Sequence, residues 1–400
     1  MSIVVQKYGG SSVADVDKLR SVAARVVATA RSGKRVCVVV SAMGHTTDEL
    51  LALAGKVSLA PPRRELDMLV SCGERISMAL LSMAISELGH EAISFTGSQS
   101  GIITNDRHSG ARIVEVRPVR VEEELAKGRI VIVAGFQGVS TKREITTLGR
   151  GGSDTTAVAL AAALGAEYCE ICSDVAGVYT ADPRVVDAAQ LADAISYDEM
   201  QTLAEHGARV LNPQAVEFAR RAQITIHARA TAQPPGLAGG TRIGGAASER
   251  RIAFVTAQEG LVRVQLGGGA AQLDARLAEE GVRLLRYDND GAAETALFSL
   301  DDLPDWTAVR ARLEALGARV TTGLAAATVV GEAIGADAGA IRRALAVAHA
   351  AGLAPLGVRA TPLALSVEIA PAELVALVRA LHREFTESVG DGAVGAGAGQ

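Results

Sequence analysis

Two glycine clusters hold the residues whose types and spacing could do chemistry. The first, "VVQKYGGSSVAD" (4–15), puts Lys7 at the end of an apolar run and Gly9-Gly10 in the turn that follows. The second, "TTLGRGGSDTTAVALAAALGAE" (146–167), opens a helical pattern with Gly149, Gly151 and Gly152, interleaved with Arg150, Ser153 and Asp154. Glycines at a helix start leave backbone N–H groups free to face an anion such as a phosphate. A Walker loop would set a lysine directly after its last glycine, and none stands there. A dinucleotide fingerprint starts well with Gly149-x-Gly151 and an Asp174 about 20 residues on, but Asp154 replaces its third glycine. Taken together the clusters complement each other. Lys7 supplies charge, Gly151 and Gly152 supply amides, and Asp154 can orient Lys7 without touching the anion. The plainer alternative is two ordinary strand-to-helix turns capped by Ser and Asp.

The elements that must position these residues are legible as a pattern. "SIVVQKY", "RVCVVVSAM", "RIVIVAGFQG", "YCEICSDV" and "QITIHARA" are continuous apolar runs, expected for strands buried on both faces. Amphipathic stretches at 15–32, 65–88, 154–164 and 198–222 alternate with them. This alternation predicts an α/β domain with a mainly parallel sheet sandwiched by helices, and such sheets bind ligands at the carboxyl ends of their strands. The glycines fall at those ends.

Composition narrows the class. Net charge is −5 with no basic block, which argues against nucleic acid or an anionic membrane as partner. No apolar run reaches about 18 residues and "MSIVVQKYGG" lacks a signal-peptide layout, so a cytoplasmic protein is expected. Cys169 and Cys172 form a C-x-x-C inside a strand-like run without a second ligand pair, so buried thiols are expected rather than metal or redox chemistry. The seven histidines show no ligand spacing.

Residues 231–251, rich in Gly and Pro, predict a linker or long surface loop after a domain of 1–230. Beyond it, 268–288 and 339–359 share a layout of glycine, amphipathic helix, glycine and short strand, each followed by a further strand and helix. The pattern predicts two small α+β modules, 252–325 and 326–387, and a disordered tail over 388–400.

At this point the chain resembles the aspartate kinases of the amino-acid kinase fold. The resemblance rests on "VQKYGGSSVAD", "VVVSAMGHTTDELL", "SCGERISMALLSMAI", "SFTGSQSGIITND", "VAGFQGV", "TTLGRGGSDTTAVALAAALGAE", "SDVAGVYTADPRVV" and "ISYDEM", in the family's order across most of 1–230. It implies ATP-dependent phosphorylation of the side-chain carboxylate of L-aspartate to 4-phospho-L-aspartate. Lys7 and Asp154 would be catalytic. Lys7, Tyr8, Gly9, Gly10, Gly151, Gly152, Ser173, Asp174, Tyr179, Asp182, Arg184 and Arg209 would hold the nucleotide, with Mg²⁺ carried on its phosphates and no dedicated metal cage. Ser41, Thr47, Glu74, Arg150 and Ser153 would hold aspartate, Glu74 on its ammonium and Arg150 on a carboxylate. The small modules resemble paired ACT units; in the family the second can be inserted in the first, and pairing of such units implies a homodimer or higher homo-oligomer.

The chain departs from the family at Ala176, where a carboxylate is usual, and at Arg209, Asn212 and Gln214, which stand for Lys, His and Arg. A kinase of glutamate or N-acetylglutamate, or a non-catalytic amino-acid-responsive subunit, are the alternatives. Feedback by lysine or threonine is expected to be weak, because Arg283 and Leu285, and Pro362 and Leu363, occupy positions where the family offers polar contacts. Asp288, Asn289 and Asp290 are the candidate replacement acceptors.

Overall fold

The computed structural model describes residues 1–149, 151–234, 239–245, 253–267, 273–280, 282–300, 303 and 305–387. The chain opens with β1 (Ile3–Tyr8), α1 (Val16–Arg31) and β2 (Arg35–Val40). Next come α2 (Thr46–Val57), α3 (Arg63–Val70), α4 (Cys72–Glu87), β3 (Ala92–Phe95), β4 (Ile102–Thr104), β5 (Ile113–Val116) and α5 (Val119–Ala126). β6 (Ile130–Ala134), β7 (Gln137–Ser140), β8 (Ile145–Thr147), α6 (Gly152–Ala163) and β9 (Tyr168–Ser173) lead to β10 (Ala194–Ser196), α7 (Tyr197–Glu205), α8 (Pro213–Ala222), β11 (Ile226–Ala230) and β12 (Thr241–Gly244).

Two compact units divide the chain. The first comprises Met1–Val178, Leu191–Gln201 and Val210–Ser248. Its main sheet runs β10-β12-β11-β9-β1-β2-β6-β3, parallel except for the β11–β12 pair. The apolar strands expected from sequence are all in it. Cys169, Cys172 and Cys37 are buried strand thiols, and burial pushes Cys37 and Cys172 up to about 12. On one face α1 buries Leu19, Val22, Ala23 and Val26, an i, i+3, i+4, i+7 stripe, against Val4, Val36, Val38 and Ile132. On the other face α6 is buried from Gly152 through Ala161, which its small side chains permit.

Three expectations are corrected here. The stretch 231–251 is not only a linker: it contributes β12, with Thr241 and Ile243 buried, so the first unit continues past 230. The helix expected at 65–88 breaks at Ser71 into α3 and α4, and 198–222 breaks into α7 and α8 around Gly207 and Pro213. A second sheet, β5-β4-β7-β8, was not foreseen; its strands have three or four residues, too short to show alternation. The helical stretch Arg63–Glu87 has the length and composition of a membrane span, yet it carries the buried acids Asp67 and Glu74.

The second unit comprises Tyr179–Gln190, Thr202–Arg209 and Glu249–Gln400. Its elements are β13 (Phe254–Gly267), α9 (Leu273–Glu279), β14 (Leu284–Asn289), β15 (Ala293–Ser299), α10 (Trp306–Ala315), β16 (Arg319–Val330), α11 (Ala338–Ala350), β17 (Gly357–Thr361), β18 (Ala364–Ile369) and α12 (Leu374–His382). They form one antiparallel sheet, β14-β15-β13-β16-β18-β17. The two modules share its long central strands. Leu261–Gly267 pairs with β15, whereas Phe254–Gln258 pairs with the end of β16, which also pairs with β18. The expected order of insertion is corrected: Phe254–Gln258, expected in the first module (252–325), pairs with the strands of the second, so the first module is inserted in the second rather than the second in the first. The tail 388–400 lies outside the described residues.

Candidate functional site

Alternation along β1 sends Gln6 and Tyr8 toward α1 and Lys7 toward α6. Lys7 sits opposite Val39 of β2 and Ile171 of β9, so the ends of three parallel strands lie level. Backbone bonds tie the loops leaving them. Ser41 donates to the Tyr8 carbonyl at 3.1 Å, Gly9 to the Cys172 carbonyl at 3.2 Å, and Gly135 to the Val40 carbonyl at 3.0 Å. The loops then touch. A Cβ on Gly10 would stand 2.8 Å from the Ala42 carbonyl oxygen, so no other residue fits there without displacement.

The second cluster meets the first as the sequence suggests. Lys7 Nζ lies 2.7 Å from Asp154 Oδ1, and both side chains are about nine-tenths buried. Asp154 is in the first turn of α6, where negative charge favours the helix dipole. Gly151 caps that helix at φ 70°, and a Cβ on it would meet Asn212 at 2.9 Å. Ser153 is buried beside Gly135. Phe136, two residues after β6, adopts φ 67°, a conformation costly for a non-glycine residue. Its N–H donates to Thr156 Oγ1 and its carbonyl accepts from Leu148, which fixes the approach to the glycine cluster.

Glu74, in the first turn of α4, is 3% exposed. Its Oε1 accepts from the Ala42 N–H at 3.1 Å, while its Oε2 is buried with no hydrogen-bond partner among the described residues. Burial pushes this carboxyl up to about 7, against two backbone bonds that favour its ionised form. A buried carboxylate oxygen of this kind is suited to accept from a cationic donor. Ala42 links Glu74 to Gly10, which joins this acid to the glycine loops.

Of the remaining sequence candidates, Ser41 and Thr47 are half-buried in the loop after β2 and the start of α2. Ser173 ends β9 and caps a turn at the Val175 N–H, beside exposed Asp174. Tyr8 departs from expectation: its ring is fully buried in the α1-side core and its hydroxyl donates to Gln6, so only its backbone reaches the loops. Arg150 lies outside the described residues. Tyr179, Asp182, Arg184 and Arg209 belong to the second unit. There Arg184 grips Asp182 with Nε and Nη2, at 3.0 and 2.7 Å, which holds that carboxyl below its usual range.

Asp67 is a functional candidate that sequence reasoning missed. It is completely buried in α3 and accepts from His108 Nδ1 at 2.9 Å, Ser109 N at 3.1 Å and Thr147 Oγ1 at 2.6 Å. Thr147 ends β8, immediately before Leu148 and Gly149. A lone acid in a helix gives no sequence signal for partners 41 and 80 residues away. Asp67→Ala orphans three donors, one buried at Thr147 and two half-buried at His108 and Ser109, so unfolding free energy should fall by about 1–3 kcal/mol. Urea denaturation measures this; a loss below about 0.5 kcal/mol would remove Asp67 from the account.

Comparison with known proteins agrees with this geometry. The profile of the amino acid kinase family matches residues 2–229. An aspartokinase of Corynebacterium efficiens is 59% identical over 232 residues, which cover 58% of this chain and 55% of that protein. The chain thus spans a little over half the length of that relative. An aspartokinase of Geobacillus stearothermophilus is 42% identical over 402 residues, covering 96% of this chain and 97% of that protein. The crystal structure of E. coli aspartokinase III in complex with aspartate and ADP superposes with a TM-score of 0.85 at 26% identity, covering 95% of this chain and 99% of that one. By its family profile and its near full-length relatives, the chain belongs to the amino acid kinase family and, within it, to the aspartokinases.

Proposed function

We propose that the chain transfers the γ-phosphoryl group of ATP to the side-chain carboxylate of L-aspartate, giving 4-phospho-L-aspartate and ADP. The observation that carries this is the Lys7–Asp154 pair, set between two glycine loops, the first of which packs on Ala42, whose N–H holds Glu74. A carboxylate oxygen of aspartate forms the new O–P bond while the β,γ-bridging O–P bond breaks and its electron pair leaves with ADP. The nucleophile is already anionic, so no general base is needed. Catalysis then reduces to positioning and charge neutralisation. Lys7 Nζ and the amides around Gly9, Gly10, Gly151 and Gly152 would stabilise charge on the transferring group. Asp154 would hold Lys7 in place. Glu74 Oε2 would accept the substrate ammonium, Arg150 would grip its carboxylate, and Ser41, Thr47 and Ser153 would donate from their hydroxyls.

Ser173 and Asp174 serve as nucleotide contacts in this reading, and Tyr179, Asp182, Arg184 and Arg209 enter it by resemblance alone. Among the described residues no group of three His, Cys, Asp or Glu gathers to hold a metal ion. Mg²⁺ bound to the ATP phosphates would supply further charge neutralisation there. Coupled ADP release over aspartate, glutamate and N-acetylglutamate tests the substrate; turnover with either of the latter in preference to aspartate would overturn it.

Weak feedback belongs to the same reading. The replacement acceptors in the first module are already engaged. Asp288 pairs with Arg286, Asn289 Oδ1 accepts from Gly291, and Asp290 Oδ1 accepts from Ala292 and Ala293. Arg283 pairs with Glu205. An effector ammonium would have to compete with these contacts for its acceptors, which weakens its binding. Lysine and threonine, singly or together, should therefore leave activity nearly unchanged; strong inhibition at low millimolar levels or below would refute this. Assembly as a homodimer or higher oligomer through the modules is likewise proposed, with β14 and β17 as the outermost strands among the described residues, and light scattering reads the mass.

A further inference from the structure

A buried polar network under the main sheet has no part in the chemistry above. Glu170 of β9 is 2% exposed, and its Oε1 accepts from two guanidinium groups: Arg25 Nη2 at 2.7 Å and Arg229 Nη1 at 3.1 Å. Its Oε2 accepts from Gln6 Nε2 at 2.6 Å. Two buried arginines thus share one carboxylate. One further nitrogen of each guanidinium turns to backbone carbonyls of the segment after β11. Arg25 Nη1 donates to the carbonyls of Thr231, at 3.4 Å, and Gln233, and Arg229 Nη2 donates to that of Pro234 at 2.7 Å. Buried guanidinium donors are costly to leave without acceptors, so lifting this segment would expose the network to that cost. The segment 231–234 is a strap clamped from below.

The clamp fixes one hydroxyl with consequence. Thr231 Oγ1 lies 3.0 Å from the Ser173 carbonyl, which also accepts the Thr231 N–H at 2.8 Å. The same Oγ1 lies 2.6 Å from Ser12 Oγ. A hydroxyl has one proton, so Thr231 donates to Ser173 and accepts from Ser12. Ser12 follows Gly9-Gly10 in the loop leaving β1, and Ser173 ends β9. Thr231 therefore pins the phosphate-facing loop to the strand end assigned to the nucleotide. Neither the spacing of the motifs nor the resemblance singles it out.

We propose that Thr231 is a positioning residue for the nucleotide, holding Ser12 and Ser173 in register, with the Arg25–Glu170–Arg229 network as its rigid base. This rests on the nucleotide reading given above. Thr231→Val keeps the shape and the backbone bond but removes the hydroxyl, and Thr231→Ser restores it. Calorimetric titration of the full chain with MgADP should show binding weakened about five- to tenfold by Thr231→Val and near wild type for Thr231→Ser. The aspartate KM should move less than twofold, which a general loss of structure would not allow. Ser12→Ala removes the same bond from the other side and should reproduce the loss if the valine variant folds poorly. Unchanged MgADP affinity in Thr231→Val or Ser12→Ala would overturn the proposal, as would equal damage to nucleotide and aspartate. A wild-type chain that turns over aspartate while these variants bind MgADP normally defeats this inference alone. A wild-type chain that binds no MgADP removes it together with the nucleotide reading.

Discussion

Lys7→Ala should lower kcat by about 10³- to 10⁵-fold, the range found when a cation is withdrawn from a phosphoryl-transfer site. The reason is geometric. Lys7 Nζ is the cation that the structure holds between the glycine loops, and the amides that remain cannot replace a full charge. The same variant leaves Asp154, 7% exposed, without its cation, so stability should fall as well, by roughly 1–3 kcal/mol. The two effects separate in the double variant Lys7→Ala/Asp154→Asn. Removing the stranded carboxylate should recover stability but not turnover. Steady-state kinetics and urea denaturation on the three proteins read both quantities. A Lys7→Ala enzyme with near-normal kcat, or a double variant that regains activity with its stability, would show that the pair is structural only.

Glu74→Gln should raise the aspartate KM about 10²-fold while the ATP KM stays within about twofold, because it removes the charge that would meet the substrate ammonium. Arg150→Ala should show the same asymmetry at the substrate carboxylate. Equal damage to both substrates would make these residues supports instead. Glu74 also predicts a pH dependence. Burial is the leading cause of its shift to about 7, opposed by two backbone hydrogen bonds. Below about 7 the empty site then carries a neutral acid, which must lose its proton before it can pair with an ammonium. The aspartate KM should therefore rise as pH falls below about 7, up to tenfold per pH unit, and the rise should vanish in Glu74→Gln. Folding follows the opposite sign. A carboxyl held above its ordinary value stabilises the fold when protonated, and this is lost as pH rises from its usual 4.5 to about 7. Glu74→Gln should thus be more stable than wild type at pH 8, by about 3 kcal/mol at most.

How much of this was legible depends on the range over which the signal acts. Strands buried on both faces announce themselves as apolar runs, so β1, β2, β6 and β9 were readable, and with them the level strand ends that bring Lys7 to Asp154. Glycine positions were readable because backbone contact leaves no alternative, as at Gly10. What was hidden is tertiary. The small sheet β5-β4-β7-β8 has no periodicity to detect in strands so short. β12 lies in a Gly-rich stretch and is a strand only because β10 and β11 supply its partners. Tyr8 adjoins Lys7 in sequence, and alternation alone turns its ring into the core. Asp67 and Thr231 act through partners distant along the chain, and nothing in their neighbours marks them.

Trapping of the product tests the central claim most directly. An acyl phosphate reacts with hydroxylamine to give a hydroxamate, whereas unreacted aspartate does not. Incubated with MgATP, aspartate and hydroxylamine, the wild-type chain should release ADP and form the side-chain hydroxamate of aspartate in equal amounts, and Lys7→Ala should form almost none. Well-folded chain that binds nucleotide but yields neither ADP nor hydroxamate on addition of aspartate would contradict the account and favour a non-catalytic, ligand-responsive role.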